Sequence, residues 1–179
     1  YVDGSVHNIV PISSLLERGY RDIIVIRIFG VGFEKRTRIP EDANIITVAP
    51  REKLGGVLQF DAAQSRRLLQ LGYFDGLRML YGLAGEKYYI DRQWSETEAY
   101  FALQELCRLF IKEETPSLWA LNETILPKLA KHLKVKDGGY YDLLTALLER
   151  LAERQGISPF RVLTEEMLLL EIAAKMKKK

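Results

Sequence analysis

Asp22-Ile23-Ile24-Val25-Ile26-Arg27-Ile28-Phe29 is the stretch that decides the fold class. It is β-branched and almost continuously apolar, which fits a strand covered on both faces, as in a parallel sheet, better than a strand with one wet face. Upstream, Pro11 suits a first helical position, and Ile12, Leu15 and Leu16 form an apolar stripe that stops at Gly19. A helix is therefore expected to feed the strand. Further upstream, Tyr1-Val2 reads as the tail of an earlier strand and Asp3-Gly4-Ser5 as a turn. Downstream, residues 30 to 44 read as a polar loop containing Gly30, Gly32 and Pro40, and Ile45 to Ala49 as a second short strand closed by Pro50. The order of strand, helix, strand, loop and strand is that of an α/β domain with two or three parallel strands.

Beyond the second strand the periodicity turns helical. Asp61 with Gln64 three residues later resembles a cap, and Leu68, Leu69, Leu71, Phe74, Leu77 and Leu80 carry the stripe toward Gly82, with Gly72 and Gly76 weakening its middle. A boundary is expected near Arg92, dividing the chain into 1–92 and a mostly helical bundle over 93–179. Within the bundle, Ser95 and Glu98 form a capping box, and Thr115-Pro116 opens a helix that Pro127 should kink or split. Leu143, Leu144, Leu147, Leu148 and Leu151 form a third stripe that Gly156 stops, Ser158-Pro159 restarts the chain, and the last helix frays into Lys177, Lys178 and Lys179.

Composition narrows the class. The chain has 179 residues, with 26 basic and 24 acidic side chains and a formal charge of +2, so it lacks the basic excess of a dedicated nucleic-acid binder. From Trp94 onward the count is 13 basic against 13 acidic, so the terminal lysines create no net field. One cysteine, Cys107, builds no disulfide framework and favours a reducing compartment such as the cytoplasm. One cysteine and two scattered histidines, His7 and His132, give no metal-ligand spacing, and no cofactor motif occurs. His7 reads as a turn-lining or solvated residue and His132 as an exposed member of a lysine-flanked helix. The chain opens at Tyr1, with no methionine and no leader, and reads as part of something longer.

The residues Tyr1-Val2-Asp3-Gly4-Ser5-Val6-His7-Asn8-Ile9-Val10-Pro11 resemble the Asp-Gly motif of the patatin-like phospholipase family. Asp3, Gly4, Asn8 and Pro11 match, as does the context of strand before and helix then apolar strand after. Leu58-Gln59-Phe60-Asp61 through Leu71-Gly72-Tyr73 looks like the family's tail, so the resemblance covers roughly residues 1 to 82. It implies the C-terminal part of a three-layer α/β fold and a serine–aspartate dyad that hydrolyses lipid or related acyl esters. In that dyad Asp3 takes the serine's proton, the alkoxide attacks the ester carbonyl, and water later releases the acyl group. Gly4 and Asn8 would support the turn that presents Asp3.

Two departures stand out. Ser5 occupies a position where the family usually has Gly or Ala, and neither the Gly-x-Ser-x-Gly elbow nor a glycine-rich oxyanion loop occurs in the chain. Oxyanion stabilisation is usually the largest single contribution to such catalysis, so the chain alone is expected to be inert. A non-catalytic interaction module with a degenerate fold is the competing reading. A second Asp-Gly-Gly, at Asp137-Gly138-Gly139, has helices on both sides and reads as an interhelical turn.

Lys35, Arg36 and Arg38 in the loop, with Arg51 and Lys53 after the second strand, are a solvated face on the simplest reading. If they converge, they would meet anionic headgroups of a membrane at which the protein sits peripherally. So small a parallel sheet leaves unpaired edges, which further strands or a second copy would cover, the latter through the sheet edge or the helical region.

Overall fold

A computed structural model describes residues 4–30, 32–56, 61–110, 117–136 and 138–177. The protein is mixed α/β, mostly helical, with a few short parallel strands. It divides into two compact units, Tyr1–Met79 and Leu80–Lys179, so the division falls before the boundary expected near Arg92. The reason is packing: Leu83, Tyr88, Tyr89 and Ile90 are buried, and Tyr88 and Ile90 join the hydrophobic core of the second unit.

In the first unit a helical turn α1 (Gly4–His7) leads to α2 (Ile12–Glu17), with Pro11 just ahead of it and Gly19 in the left-handed region at φ +87° just past it. Strand β1 (Asp22–Ile26) pairs in parallel with β2 (Asn44–Val48), with Asp22 opposite Asn44 and Ile26 opposite Val48. The ladder reaches Arg27, whose N–H donates to the Val48 carbonyl, and ends as Phe29 turns left-handed at φ +48°. That turn is why β1 is shorter than the apolar run containing it. Helix α3 (Ala62–Tyr81) starts where Asp61 accepts from the Gln64 N–H at 2.6 Å and passes unbroken through Gly72 and Gly76 to Gly82.

Coverage of β1 departs from the expectation. Ile23 is buried, but Ile24 is 61%, Ile26 75% and Ile28 72% exposed, and Ile46, opposite Ile24 on β2, is exposed too. Strand side chains alternate between faces, so one face of the pair is apolar and open to water. Ile23 and Leu71 are the buried apolar side chains among the described residues of this unit, against twelve large exposed ones.

The second unit has a core of its own. Helix α4 (Glu96–Phe110) starts on the expected capping box, Ser95 and Glu98 exchanging hydrogen bonds of 2.7 to 3.3 Å. Ser117 caps α5 (Leu118–Ala120), which continues through a π-helical turn, Leu121–Ile125, into α6 (Leu126–Leu133). Pro127 lies in the first turn of α6 and has no N–H to give the preceding ladder, so the widened turn sits where the kink was expected. The Thr115-Pro116 cap lies outside the described residues.

Helix α7 (Tyr140–Arg154) packs on α4, α6 and α8 (Glu165–Met176), burying Leu143, Leu144, Leu148 and Leu151, and stops at Gly156 with φ +62°. Gly139 caps its start, so the second Asp-Gly-Gly, whose Asp137 lies outside the described residues, ends at a helix entry. Two further findings amend the reading of a purely helical bundle. β3 (Tyr89–Ile90) pairs in parallel with β4 (Val162–Leu163), and the last helix is capped by Thr164 rather than restarted at Ser158-Pro159.

Gly85 lies in the turn that leads into β3, at φ +92°. A Cβ there would stand 2.6 Å from the Tyr88 carbonyl oxygen and 2.7 Å from Glu149 Oε1. Gly85→Ala meets both an unfavourable φ and a backbone clash, so it is expected to destabilise the protein by about 2 kcal/mol or more. Urea unfolding followed by circular dichroism checks this, and an unchanged midpoint would contradict it.

Candidate functional site

Asp3, the residue to which the sequence assigns the chemistry, lies outside the described residues, as do Tyr1 and Val2. The described chain begins at the next position. Gly4 opens α1 and is exposed, its φ is not left-handed, and an added Cβ would meet nothing within 4 Å. The tight turn expected over Asp3-Gly4-Ser5 is therefore, from Gly4 onward, a helical turn in which the Asn8 N–H donates to the Gly4 carbonyl at 2.8 Å, and its geometry does not require glycine.

Asn8 does more. Its Oδ1 accepts from the Val10 N–H at 3.2 Å and the Lys35 N–H at 3.3 Å, while the Ile9 N–H donates to the Phe33 carbonyl at 2.9 Å. A short amide side chain that closes a turn on its own backbone and reaches a second strand of chain is a geometric latch. It joins the segment after Asp3 to the loop between β1 and β2. Of the residues singled out in the sequence, these contacts bring Asn8 and Lys35 together.

Lys35, Arg36 and Arg38 are exposed. Of the three acids in their loop, Glu34 is paired with Arg27, whose guanidinium also lies 5.2 Å from the centre of the Phe29 ring, Asp42 is paired with Arg21 at 2.8 Å, and Glu41 is exposed. Arg51 and Lys53 are exposed beyond β2, and Glu52 between them pairs with Arg67 of α3 at 2.7 Å. His7 and His132 are exposed. Among the described residues no group of three or more His, Cys, Asp or Glu side chains could hold a metal ion. None of the described helices is long and apolar enough to cross a membrane.

Sequence reasoning passed over two buried carboxylates in the second unit. Glu165, at the first turn of α8, is fully buried. Its carboxylate accepts from the Tyr141 hydroxyl at 2.7 Å and from the backbone N–H groups of Gln93 at 3.1 Å and Trp94 at 3.4 Å. The Arg92 guanidinium lies over the Tyr141 ring, 3.9 Å from its centre, and donates to Glu96, whose other oxygen accepts from the Tyr141 N–H at 3.0 Å. Burial, then the bond to Glu165, pushes the Tyr141 hydroxyl well above its ordinary range.

The second carboxylate, Glu149, takes the N–H groups of Lys87 and Tyr88 on one oxygen, each at 2.8 Å. The Tyr88 hydroxyl donates to the Ile157 carbonyl at 2.8 Å, and burial, then the charges of Glu153, Glu149 and Glu171, push it up to about 12. Both acids are enclosed and surrounded by donors from other segments, which makes them fasteners rather than bases for an outside substrate. The Thr164-Glu165-Glu166 cap is the one sequence signal for Glu165, but it says nothing of which acid turns inward. Cys107 is buried, which raises its thiol pKa and leaves it a packing residue.

Comparison with protein-family models, with curated proteins and with solved structures finds no match to this chain.

Burial is the largest influence on Glu149 and raises its pKa above the ordinary 4.5. A carboxyl that holds its proton more tightly when folded subtracts stability as the pH climbs through the interval above 4.5, and the penalty levels off once the folded group has ionised. Glutamine keeps an oxygen for the Lys87 and Tyr88 N–H groups without the charge. Glu149→Gln is therefore expected to gain stability relative to the parent as the pH rises through that interval, as read from urea midpoints across mildly acid to neutral pH. A constant difference between the two proteins would overturn this.

Proposed function

We propose that this chain is the C-terminal portion of a patatin-like serine acyl hydrolase. It works in the cytoplasm or peripherally at a membrane, with Asp3 as the carboxylate of a serine–aspartate dyad and a lipid or acyl ester as substrate. The observation that carries the reading is the state of the first unit. A parallel pair follows the Asp-Gly segment and a short helix, with an apolar face left uncovered and two buried apolar side chains among its described residues. Parallel strands need both faces covered, and a two-stranded sheet is marginal by itself. A three-layer α/β domain supplies both the missing strands and the helical cover.

On this reading the nucleophile and its oxyanion donors come from further polypeptide, since no Gly-x-Ser-x-Gly elbow occurs here. Asp3 would accept the serine proton as the hydroxyl attacks the ester carbonyl, and would orient the hydroxyl throughout. The Asn8 latch holds the segment from Gly4 onward against the β1–β2 loop, and on this reading it serves to restrain the stretch that carries the dyad's carboxylate. Small displacements at a reacting group are costly, so this restraint has catalytic value.

The protein carrying both this chain and the elbow is expected to be labelled by a fluorophosphonate at a serine. Asp3→Asn is expected to lower ester hydrolysis on the order of 10⁴-fold while the circular dichroism spectrum stays the same. Full hydrolysis by Asp3→Asn, or no serine labelling in the complete protein, would sink the hydrolase and favour the competing interaction module.

A further inference from the structure

We propose that the loop between β1 and β2 is a docking element for an anionic bilayer surface, with Phe29, Phe33 and Ile39 entering the interface and Lys35, Arg36 and Arg38 holding the headgroups. This role rests on the lipid-hydrolase reading for its purpose, but its test reads partition and not turnover. The three apolar side chains are 58%, 61% and 51% exposed. The three cations are exposed and form no ion pair among the described residues: of the acids in this loop, Glu34 is paired with Arg27 and Asp42 with Arg21, while Glu41 is exposed, which leaves the cations of residues 35–38 one charge or more in excess.

The described part of the loop is tied at three backbone positions. Among the described residues of the loop, the Arg27 N–H is bonded to the Val48 carbonyl, the Phe33 carbonyl to the Ile9 N–H and the Lys35 N–H to Asn8 Oδ1, which anchors the backbone beside Phe33 and Lys35. Phe29 is held at φ +48°, a conformation disfavoured for a bulky side chain.

Charge selects the occupant. The open face of β1 and β2 is apolar and suits a protein layer, whereas a protein interior would have to strip water from three unpaired cations to cover this loop. A second copy would bring the same positive charges against them. Nucleic acid needs a wider cationic field than a chain of net charge +2 supplies, and Ile39 has no face on which a base stacks. An anionic bilayer meets both halves of the pattern: aromatic rings sit at headgroup depth and basic side chains neutralise the surface.

The test is co-sedimentation of the complete protein with vesicles of phosphatidylcholine alone or with about one-third phosphatidylserine, at low and high salt. Binding is expected to the anionic vesicles and to fall with salt. A combined Lys35→Gln, Arg36→Gln and Arg38→Gln variant should partition on the order of 100-fold less, at roughly fivefold per cation. Phe29→Ser with Phe33→Ser should weaken binding while leaving its salt dependence. In a Phe33→Trp variant, tryptophan emission should shift to the blue on anionic vesicles, which gives a readout should the multiple variants misfold. Unchanged partition in both multiple variants, or no blue shift, would overturn the proposal. So would sedimentation showing that the Phe29 and Phe33 changes dissociate a dimer without altering partition. Asp3→Asn should bind vesicles like the parent, so lost hydrolysis with intact binding separates this role from the catalytic one.

Discussion

A strand as apolar as Ile23 to Ile28 has to lose water from both faces, and the first unit depends on how that demand is met. Each large aliphatic side chain moved from water to an apolar setting contributes about 1.5–3 kcal/mol, so three isoleucines left on the open face forgo a sum comparable to a large part of a domain's net stability. Parallel pairing with β2 satisfies one backbone edge of β1, and Ile23 takes what cover the described residues provide. The proposed three-layer hydrolase is the arrangement in which the other edge and the other face are covered as well.

The second unit meets its demands internally. Its apolar stripes close on one another around α7, and its two enclosed acids are surrounded by donors from distant parts of the chain. Glu165 gathers the segment before α4, the start of α7 and the start of α8, while Glu149 gathers the turn before β3. Buried charge is costly unless every lone pair is used. These acids therefore act as registration devices: a shift of any contributing segment leaves a carboxylate without its partner.

The loop between β1 and β2 connects the two roles given to the first unit. Asn8 and Ile9 tie it to the described segment that begins at Gly4, so the surface proposed to meet lipid is hydrogen-bonded to the stretch of chain that follows the proposed catalytic residue in sequence. That latch was only half legible. Asn8 stood out as a turn residue, but its second partner, the Lys35 N–H, is 27 residues away and no local pattern announces it.

Local chemistry by itself determined much of this protein: the parallel strand pair at Asp22 and Asn44, the caps at Asp61 and Ser95, the break near Pro127, the glycine stops at Gly19, Gly82 and Gly156, and the leucine stripe of α7. Each depends on backbone conformation or on a periodicity contained within one element, and such signals survive in the linear order. Tertiary structure alone decided that Gly4 continues into a helical turn, that Ile24 and Ile26 face water, that the division falls at Met79, that Tyr89 and Val162 share a sheet, and that Glu149 and Glu165 turn inward. Those outcomes depend on partners many residues distant, and a side chain's burial is a property of what packs against it, which its own neighbourhood in sequence does not contain.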